Sequence, residues 1–181
     1  GGEDFTRPAI IISNHQSLIE TPAFLRLHPK ILILTSNWVY KSPVFGPIAR
    51  LAGFFNVDLG VENLVEPLRA KIREGYSLLI FPEGHRSADQ QIKRFHRGAF
   101  YLAEKLQIDL LPVVVFGSGD FLAKGDFWGR PNSLYMKIMP RIAWDDPVYG
   151  STYPERARKI RQVYINWYTS LKSLYGNAHY Y

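Results

Sequence analysis

The chain has no cysteine, which excludes disulfide bonds, a thiolate nucleophile and cysteine-ligated metal sites. Its five histidines lack the spacing of metal ligands, and we expect neither a metal nor a cofactor. No apolar run approaches the ~18 residues that suggest a membrane-spanning helix, and the start lacks the pattern of a signal peptide. The 181 residues are enough for one domain with a substantial core.

Charge and aromatic content restrict the class of partner. The net charge of +6 and the sequence pI of about 9.5 favour anionic partners such as acidic headgroups, phosphate-bearing thioesters or nucleic acid. Nucleic acid ranks last, because no aromatic ladder or known binding module accompanies the cations. Aromatic residues at 14% fit an interface or an apolar tunnel, and a well-packed core would explain them equally well.

The apolar pattern predicts strands that alternate with helices. Strands are predicted at 9–12, 31–34, 54–59, 77–81, 110–116 and 134–139, and helices at 21–27, 63–74, 97–106 and 155–174. Segment 41–51 is predicted as a loop with room for a short helix. Thr21 and Pro22 have the pattern of an N-cap and a first helical residue. The alternation predicts an α/β fold with a mixed, mostly parallel sheet flanked by helices.

His15 directly follows the first predicted strand, at the strand end where open α/β sheets bind ligands. Five residues of straight helix would rotate Glu20 by about 140° away from it, so the two side chains can meet only across a turn. In such a dyad Glu20 accepts from one imidazole nitrogen and leaves the other as general base. The alternative is a loop histidine that caps the helix, with Glu20 on the surface.

Residues 81–87 end the fourth predicted strand in a sharp turn. Gly84 lets the backbone approach a ligand closely, and Arg86 offers a planar, permanently charged fork for phosphate or carboxylate. Glu83 is positioned to hold that fork or to bind acceptor hydroxyls. His85 and Arg97 extend the positive patch. The alternative is an ion pair between Glu83 and Arg86 that only stabilises the turn.

These segments resemble, in order and spacing, the four sequence blocks of the glycerolipid acyltransferase family, which contains bacterial lysophosphatidic acid acyltransferases. The first block, Asn-His-x4-Asp, is matched by Asn14, His15 and, with glutamate for aspartate, Glu20. The third, Phe-Pro-Glu-Gly-Thr-Arg-Ser, is matched by 81–87 with His85 for threonine. The second resembles 41–47 and 53–58, and the fourth resembles 111–114. The resemblance covers residues 9–140 and favours a catalytic His15.

The resemblance implies a single acyltransferase domain over 1–181, with a mixed sheet of about seven strands and an acyl tunnel beside the histidine. It implies direct transfer of a fatty acyl group from acyl-CoA or acyl-carrier protein to a hydroxyl or amine of a lipid-like acceptor, as in phospholipid biosynthesis. His15 would be the base and Glu20 its orienting carboxylate. The residues predicted to bind substrate are Asn14, Lys41, Glu83, Gly84, His85, Arg86 and Arg97.

Two departures from the family pattern bear on the acceptor. Family members that act on glycerol phosphates usually carry arginine after the aspartate of the second block, whereas Leu59 follows Asp58 here. His85 replaces the threonine beside Arg86. We therefore hypothesise an acceptor other than glycerol 3-phosphate or its lyso form, such as an amine, a sugar or an aryl-lipid hydroxyl.

The membrane is a further expected partner. We expect a peripheral position at the cytoplasmic face. Gly1 and Gly2 lead directly into a core-like strand, which is also compatible with one domain of a larger membrane protein. The predicted helix 155–174 is amphipathic and basic, and it either packs on the sheet or lies on an anionic bilayer. Two other functions stay open, namely a thioesterase-like hydrolase and a non-catalytic domain that binds acyl chains or lipids.

Overall fold

A computed structural model describes residues 3, 5–43, 45–51, 53–122 and 128–176. Within these ranges six strands form one sheet: β1 (Ile10–Ser13), β2 (Ile31–Thr35), β3 (Phe55–Asn56), β4 (Ser77–Ile80), β5 (Leu110–Phe116) and β6 (Tyr135–Ile138). Their order is β3-β2-β4-β1-β5-β6, and all pairs are parallel except β5 with β6. The predicted α/β class is confirmed, with six described strands instead of about seven.

Seven α-helices lie within the described ranges, together with two short 3-10 turns. The helices are α1 (Glu20–Leu27), α2 (Asn37–Lys41), α3 (Phe45–Leu51), α4 (Val61–Arg73), α5 (Gly98–Leu106), α6 (Ser118–Phe121) and α7 (Tyr153–Tyr175). The 3-10 turns are Val57–Leu59 and Pro147–Tyr149. None of these helices is both long and apolar enough to cross a bilayer.

The central strands are apolar throughout because both faces of the sheet are covered. In β1, Ile10 and Ile12 belong to a core that includes buried residues of α4, α5 and α7, whereas Ile11 belongs to a second core with Phe24 of α1. This alternation follows from the two-residue period of a strand. Burial on both sides also explains why β1 and β4 are fully buried along their length.

α7 packs on the sheet, which is one of the two positions open to the predicted terminal helix. Ala157, Ile160, Tyr164 and Leu171 of its predicted apolar stripe are buried, while Leu174 is 68% exposed. The Tyr164 hydroxyl lies 2.6 Å from the carbonyl oxygen of Ile12 and 2.7 Å from that of Val113, and it can donate to one of them at a time. The helix is thereby fixed to β1 near its end and to the middle of β5.

Two local predictions differ from the structure. α1 begins at Glu20 instead of after Thr21, and the N–H of Ala23 donates to Ile19. The predicted strand 54–59 is a two-residue strand followed by a 3-10 turn, because the Asn56 side chain accepts from the N–H of Asp58. Segment 41–51, predicted as a loop with room for a short helix, contains the short helix α3 after the end of α2.

Candidate active site

Adjacent strands bring the two sequence blocks together at one edge of the sheet. β1 and β4 are parallel neighbours, so the segments that follow them begin side by side. The N–H of His15 donates to Oε1 of Glu83 over 2.9 Å, and the N–H of Ser87 donates to the carbonyl of His15 over 2.8 Å. Both backbone polar groups of His15 are therefore held by the 81–87 segment.

The His15 ring is fixed by its neighbours on two sides. Its Nδ1 lies 2.7 Å from Oε2 of Glu20, and the ring stacks on Phe81 with centroids 4.1 Å apart. A turn at 18–19 separates the two residues, as their meeting requires. Nε2 of His15 has no hydrogen-bond partner within the described ranges, and the residue lines a cavity. This geometry leaves Nε2 able to exchange a proton with a bound ligand.

Glu20 is fully buried, which rules out the alternative in which it lies on the surface. Its Oε1 accepts from the N–H of Gln16 at 3.0 Å, the N–H of Ser17 at 3.1 Å and the hydroxyl of Ser118 at 2.5 Å. A buried carboxylate needs such donors, since removal from water disfavours its charge. These contacts, together with the one to His15, fix the orientation of the carboxylate.

Glu83 turns into the protein instead of towards Arg86 or a substrate. Oε1 of its buried carboxyl accepts from the N–H of His15, and Oε2 accepts from the N–H of Lys93 over 2.7 Å. No hydrogen bond or ion pair joins Glu83 to Arg86 in the described part of the chain. Burial raises the pKa of Glu83 to about 7. Its observed contacts hold the backbone of His15. The predicted contact with Arg86 is not found within the described ranges, and binding of acceptor hydroxyls by Glu83 stays a prediction.

Three other residues of the 81–87 segment lie where the sequence predicts them. Gly84, His85 and Arg86 all line the cavity. Gly84 has φ +72°, a backbone conformation that favours glycine, and a Cβ there would lie 3.2 Å from the exposed ring of His96, which would have to shift slightly. Arg86 is half-buried and, among the described residues, has no ion pair or hydrogen bond. Within the described ranges it is therefore an unpaired cation beside the cavity.

The remaining predicted residues do not reach the cavity. Asn14 is buried, and its side-chain amide both donates to and accepts from the backbone of Val115, each over 2.8 Å. Its amide therefore ties the end of β1 to β5 and is not available for substrate. Lys41 ends α2 and Arg97 precedes α5, and both side chains are exposed outside the cavity lining. Substrate contact by these two cations stays a prediction.

The cavity has a volume of about 840 Å³, within the range of small-molecule sites. Most of its wall is apolar and comes from α1, β2, α2, α3 and α5, with Leu18, Leu25, Val39, Phe45, Phe54 and Leu102 among the residues. Its charged or ionisable residues are His15, Asp58, His85, Arg86 and His96. An apolar chamber beside a histidine can hold a long hydrocarbon chain with its polar end at the imidazole.

Ser118 and most of the apolar wall were missed by the sequence reasoning. Ser118 comes directly after Gly117 at the end of β5, and β5 is a neighbour of β1. Because parallel strand ends meet at one edge, a residue after β5 was a candidate partner for His15. The wall residues gave no such signal, since apolar side chains in helices look the same whether they line a core or a cavity.

The fold and the site define an α/β protein with a histidine–glutamate pair beside a large apolar cavity. The structure is similar to the crystal structure of the 1-acyl-sn-glycerophosphate acyltransferase PlsC from Thermotoga maritima, with a TM-score of 0.79 and 23% identity, over 100% of this chain and 72% of that chain. At that identity the likeness shows the fold. The model of the Acyltransferase family matches residues 1–116, and the chain belongs to this family.

Several relatives are named 1-acyl-sn-glycerol-3-phosphate acyltransferases. The chain is 30% identical over 171 residues to the 1-acyl-sn-glycerol-3-phosphate acyltransferase of Limnanthes alba, which covers 91% of this chain and 60% of that protein. It is 30% identical over 122 residues to the human 1-acyl-sn-glycerol-3-phosphate acyltransferase beta, covering 64% and 44%. The chain thus spans about half the length of the curated relatives it matches.

Glu83 makes the free energy of unfolding depend on pH. Its pKa is about 7 in the folded protein against an ordinary value of 4.5, so between these values the folded protein keeps a proton that the unfolded chain releases. This contribution is fully present below the ordinary pKa and is lost as pH rises through about 7. Between about pH 5 and pH 8 the free energy of unfolding of the wild type should fall by on the order of 2–3 kcal/mol more than that of Glu83→Gln.

Urea unfolding at a series of pH values measures this difference. Glu62→Gln, which changes an exposed carboxylate on α4, is the matched control and should keep the wild-type pH dependence. Parallel curves for the wild type and Glu83→Gln would contradict the assignment of the raised pKa to Glu83.

Proposed function

We propose that this chain transfers a fatty acyl group from a thioester donor to a hydroxyl of a lysophospholipid-type acceptor, with His15 as general base. One observation carries the proposal. Nδ1 of His15 is held by the buried Glu20, and the residue lines a large apolar cavity. The names of the relatives, 1-acyl-sn-glycerol-3-phosphate acyltransferases, support this reaction class.

The proposed reaction needs no covalent enzyme intermediate. Nε2 of His15 takes the proton of the acceptor hydroxyl while that oxygen attacks the thioester carbonyl. A carbon–oxygen bond forms, the carbon–sulfur bond breaks, and the imidazolium gives its proton to the leaving thiolate. Glu20, fixed at Nδ1, stabilises the imidazolium between these two transfers. Acyl-CoA and acyl-carrier protein present the same thioester, and both fit this scheme as donors.

A phosphate group on the acceptor is supported by Arg86. Its guanidinium has no partner among the described residues and lies beside the cavity, where it can form charge-assisted hydrogen bonds to phosphate oxygens. Lysophosphatidic acid is therefore the first acceptor of the proposal. The second candidate is an acceptor without a phosphate, such as an amine, a sugar or an aryl-lipid hydroxyl. Leu59 favours it, because the family's usual arginine is absent there.

Contact with a membrane at α1, α2 and α3 is also part of the proposal. Leu25 and Trp38 line the cavity and are 37% and 55% exposed, and Leu51 is 92% exposed. The three helices, all within the described ranges, carry Arg26, Lys41 and Arg50 and no exposed carboxylate. Exposed apolar and basic side chains together favour an anionic lipid surface. A lipid substrate could then enter the cavity from the bilayer.

His15→Ala tests the reaction. We expect its turnover to fall by about two orders of magnitude or more, because the proton acceptor is lost. The measurement is thiol release from palmitoyl-CoA and from an acyl-carrier donor, with and without lysophosphatidic acid and other acceptors. His28→Ala, at a histidine outside the cavity lining, is the control. Release that needs no acceptor would identify a hydrolase, and donor binding without any release would identify a binding domain.

Arg86→Ala separates the two acceptor classes. For lysophosphatidic acid we expect a KM about 10–100-fold higher, the equivalent of one lost charge-assisted interaction. For an uncharged acceptor such as a monoacylglycerol the KM should not change. Arg94→Ala, which removes an exposed cation outside the cavity lining, should leave both values as they are. An equal effect of Arg86→Ala on both acceptors would show that Arg86 does not bind phosphate.

Trp38→Ala tests the membrane surface. We expect several-fold weaker sedimentation with vesicles of anionic phospholipid, because an exposed aromatic anchor on α2 is lost. Trp128→Ala is the matched control, since Trp128 is 87% exposed but lies outside α1, α2 and α3. Equal vesicle binding by the two variants would move the contact to another surface.

A further inference from the structure

Glu20 stands where the family pattern has aspartate, and its additional methylene places the carboxylate against Ser118. Ser118 is fully buried, and its hydroxyl donates to Oε1 of Glu20 over 2.5 Å. The other two donors to Oε1 are backbone N–H groups of Gln16 and Ser17, from the same segment as Glu20 itself. Ser118 is therefore the donor that reaches this oxygen from a different strand end.

The scaffold holds Ser118 in place independently of Glu20. Gly117, with φ +86°, makes the turn after β5, and a Cβ there would lie 2.2 Å from the carbonyl oxygen of Ser133. Only glycine can turn the chain at this point. The amide of Asn14 fixes Val115 of β5 to the end of β1. The Ser118 hydroxyl is thus delivered to Glu20 by rigid elements, as a positioning group requires.

We propose that Ser118 is a positioning residue for His15 and acts through Glu20. A glutamate side chain has one more rotatable bond than aspartate, so its carboxylate needs an additional restraint to keep Oε2 on Nδ1 of His15. The Ser118 hydroxyl supplies that restraint at Oε1. Serine at 118 and glutamate at 20 therefore work as a pair in this chain. The inference rests on the proposed general-base role of His15.

Removing the hydroxyl should impair turnover more than folding or binding. In Ser118→Ala the two backbone donors still satisfy Oε1, so the buried charge keeps partners and the protein is expected to fold. We expect kcat to fall about tenfold, because the substitution misorients the base. The KM of donor and acceptor should stay unchanged, because the cavity that binds them is not altered. Ser118→Cys keeps the size with a weaker donor and should give an intermediate kcat.

A double-mutant cycle with Glu20→Asp gives the sharpest kinetic test. The shorter aspartate draws the carboxylate away from position 118, so Ser118→Ala should change kcat less than about twofold in that background. Ser77→Ala is the matched control. Ser77 is also a buried, hydrogen-bonded serine, but it begins β4 and therefore lies at the end of that strand away from His15. An unchanged kcat in Ser118→Ala, or an equal loss in both backgrounds, would overturn the proposal.

A spectroscopic measurement separates this inference from the proposed reaction. In nitrogen-15 spectra of the neutral His15 ring, the wild type should hold its proton at Nδ1, whereas Ser118→Ala should exchange between tautomers. Ser77→Ala should keep the wild-type pattern. If the wild type shows no acyl transfer but the tautomer changes as stated, the proposed function fails and the positioning role stands. An identical tautomer in the wild type and Ser118→Ala would refute the positioning role.

Discussion

The buried carboxylate of Glu20 is the constraint on which the site depends. An ionised carboxylate out of water is stable only with a full set of donors. The Glu20 carboxylate is hydrogen-bonded to Nδ1 of His15, and it accepts hydrogen bonds from the N–H groups of Gln16 and Ser17 and from the hydroxyl of Ser118. Meeting that requirement forces the 14–19 segment to turn back on itself and brings the end of β5 against it. The orientation of the imidazole is a consequence of this arrangement.

A second buried carboxyl group, that of Glu83, holds the backbone of His15. It accepts from the N–H of His15 and the N–H of Lys93, while Arg161 of α7 donates to the carbonyls of Ile92 and Lys93. Segments far apart in sequence are thus joined through backbone groups, whereas Arg86 and Nε2 of His15 have no partner among the described residues, and both residues line the cavity. Rigid support behind a few unpaired groups is the general design of a preorganised site.

Features that depend on the local sequence pattern, such as the buried strands, were predicted correctly. Side-chain partners that are far apart in the sequence were not. The strand before His15 and the apolar strand 110–116 were found, because a buried parallel strand is recognisable from composition alone. The pairing of His15 with Glu20 needed only a turn between them. A contact between Glu83 and Arg86 was predicted from their closeness in sequence, whereas the folded chain brings the N–H groups of His15 and Lys93 to the Glu83 carboxyl. Ser118 lies 98 residues from Glu20, and no local signal joins them.

The most direct test of the account is a crystal structure with a thioether analogue of palmitoyl-CoA, in which a methylene replaces the thioester carbonyl so that the carbon–sulfur bond cannot be cleaved by acyl transfer. We predict that the alkyl chain fills the apolar cavity, that the methylene next to the sulfur lies in van der Waals contact with the His15 ring at Nε2, and that Nδ1 stays on Glu20. An alkyl chain bound outside the cavity, or an imidazole turned away from the ligand with its bond to Glu20 broken, would contradict the account.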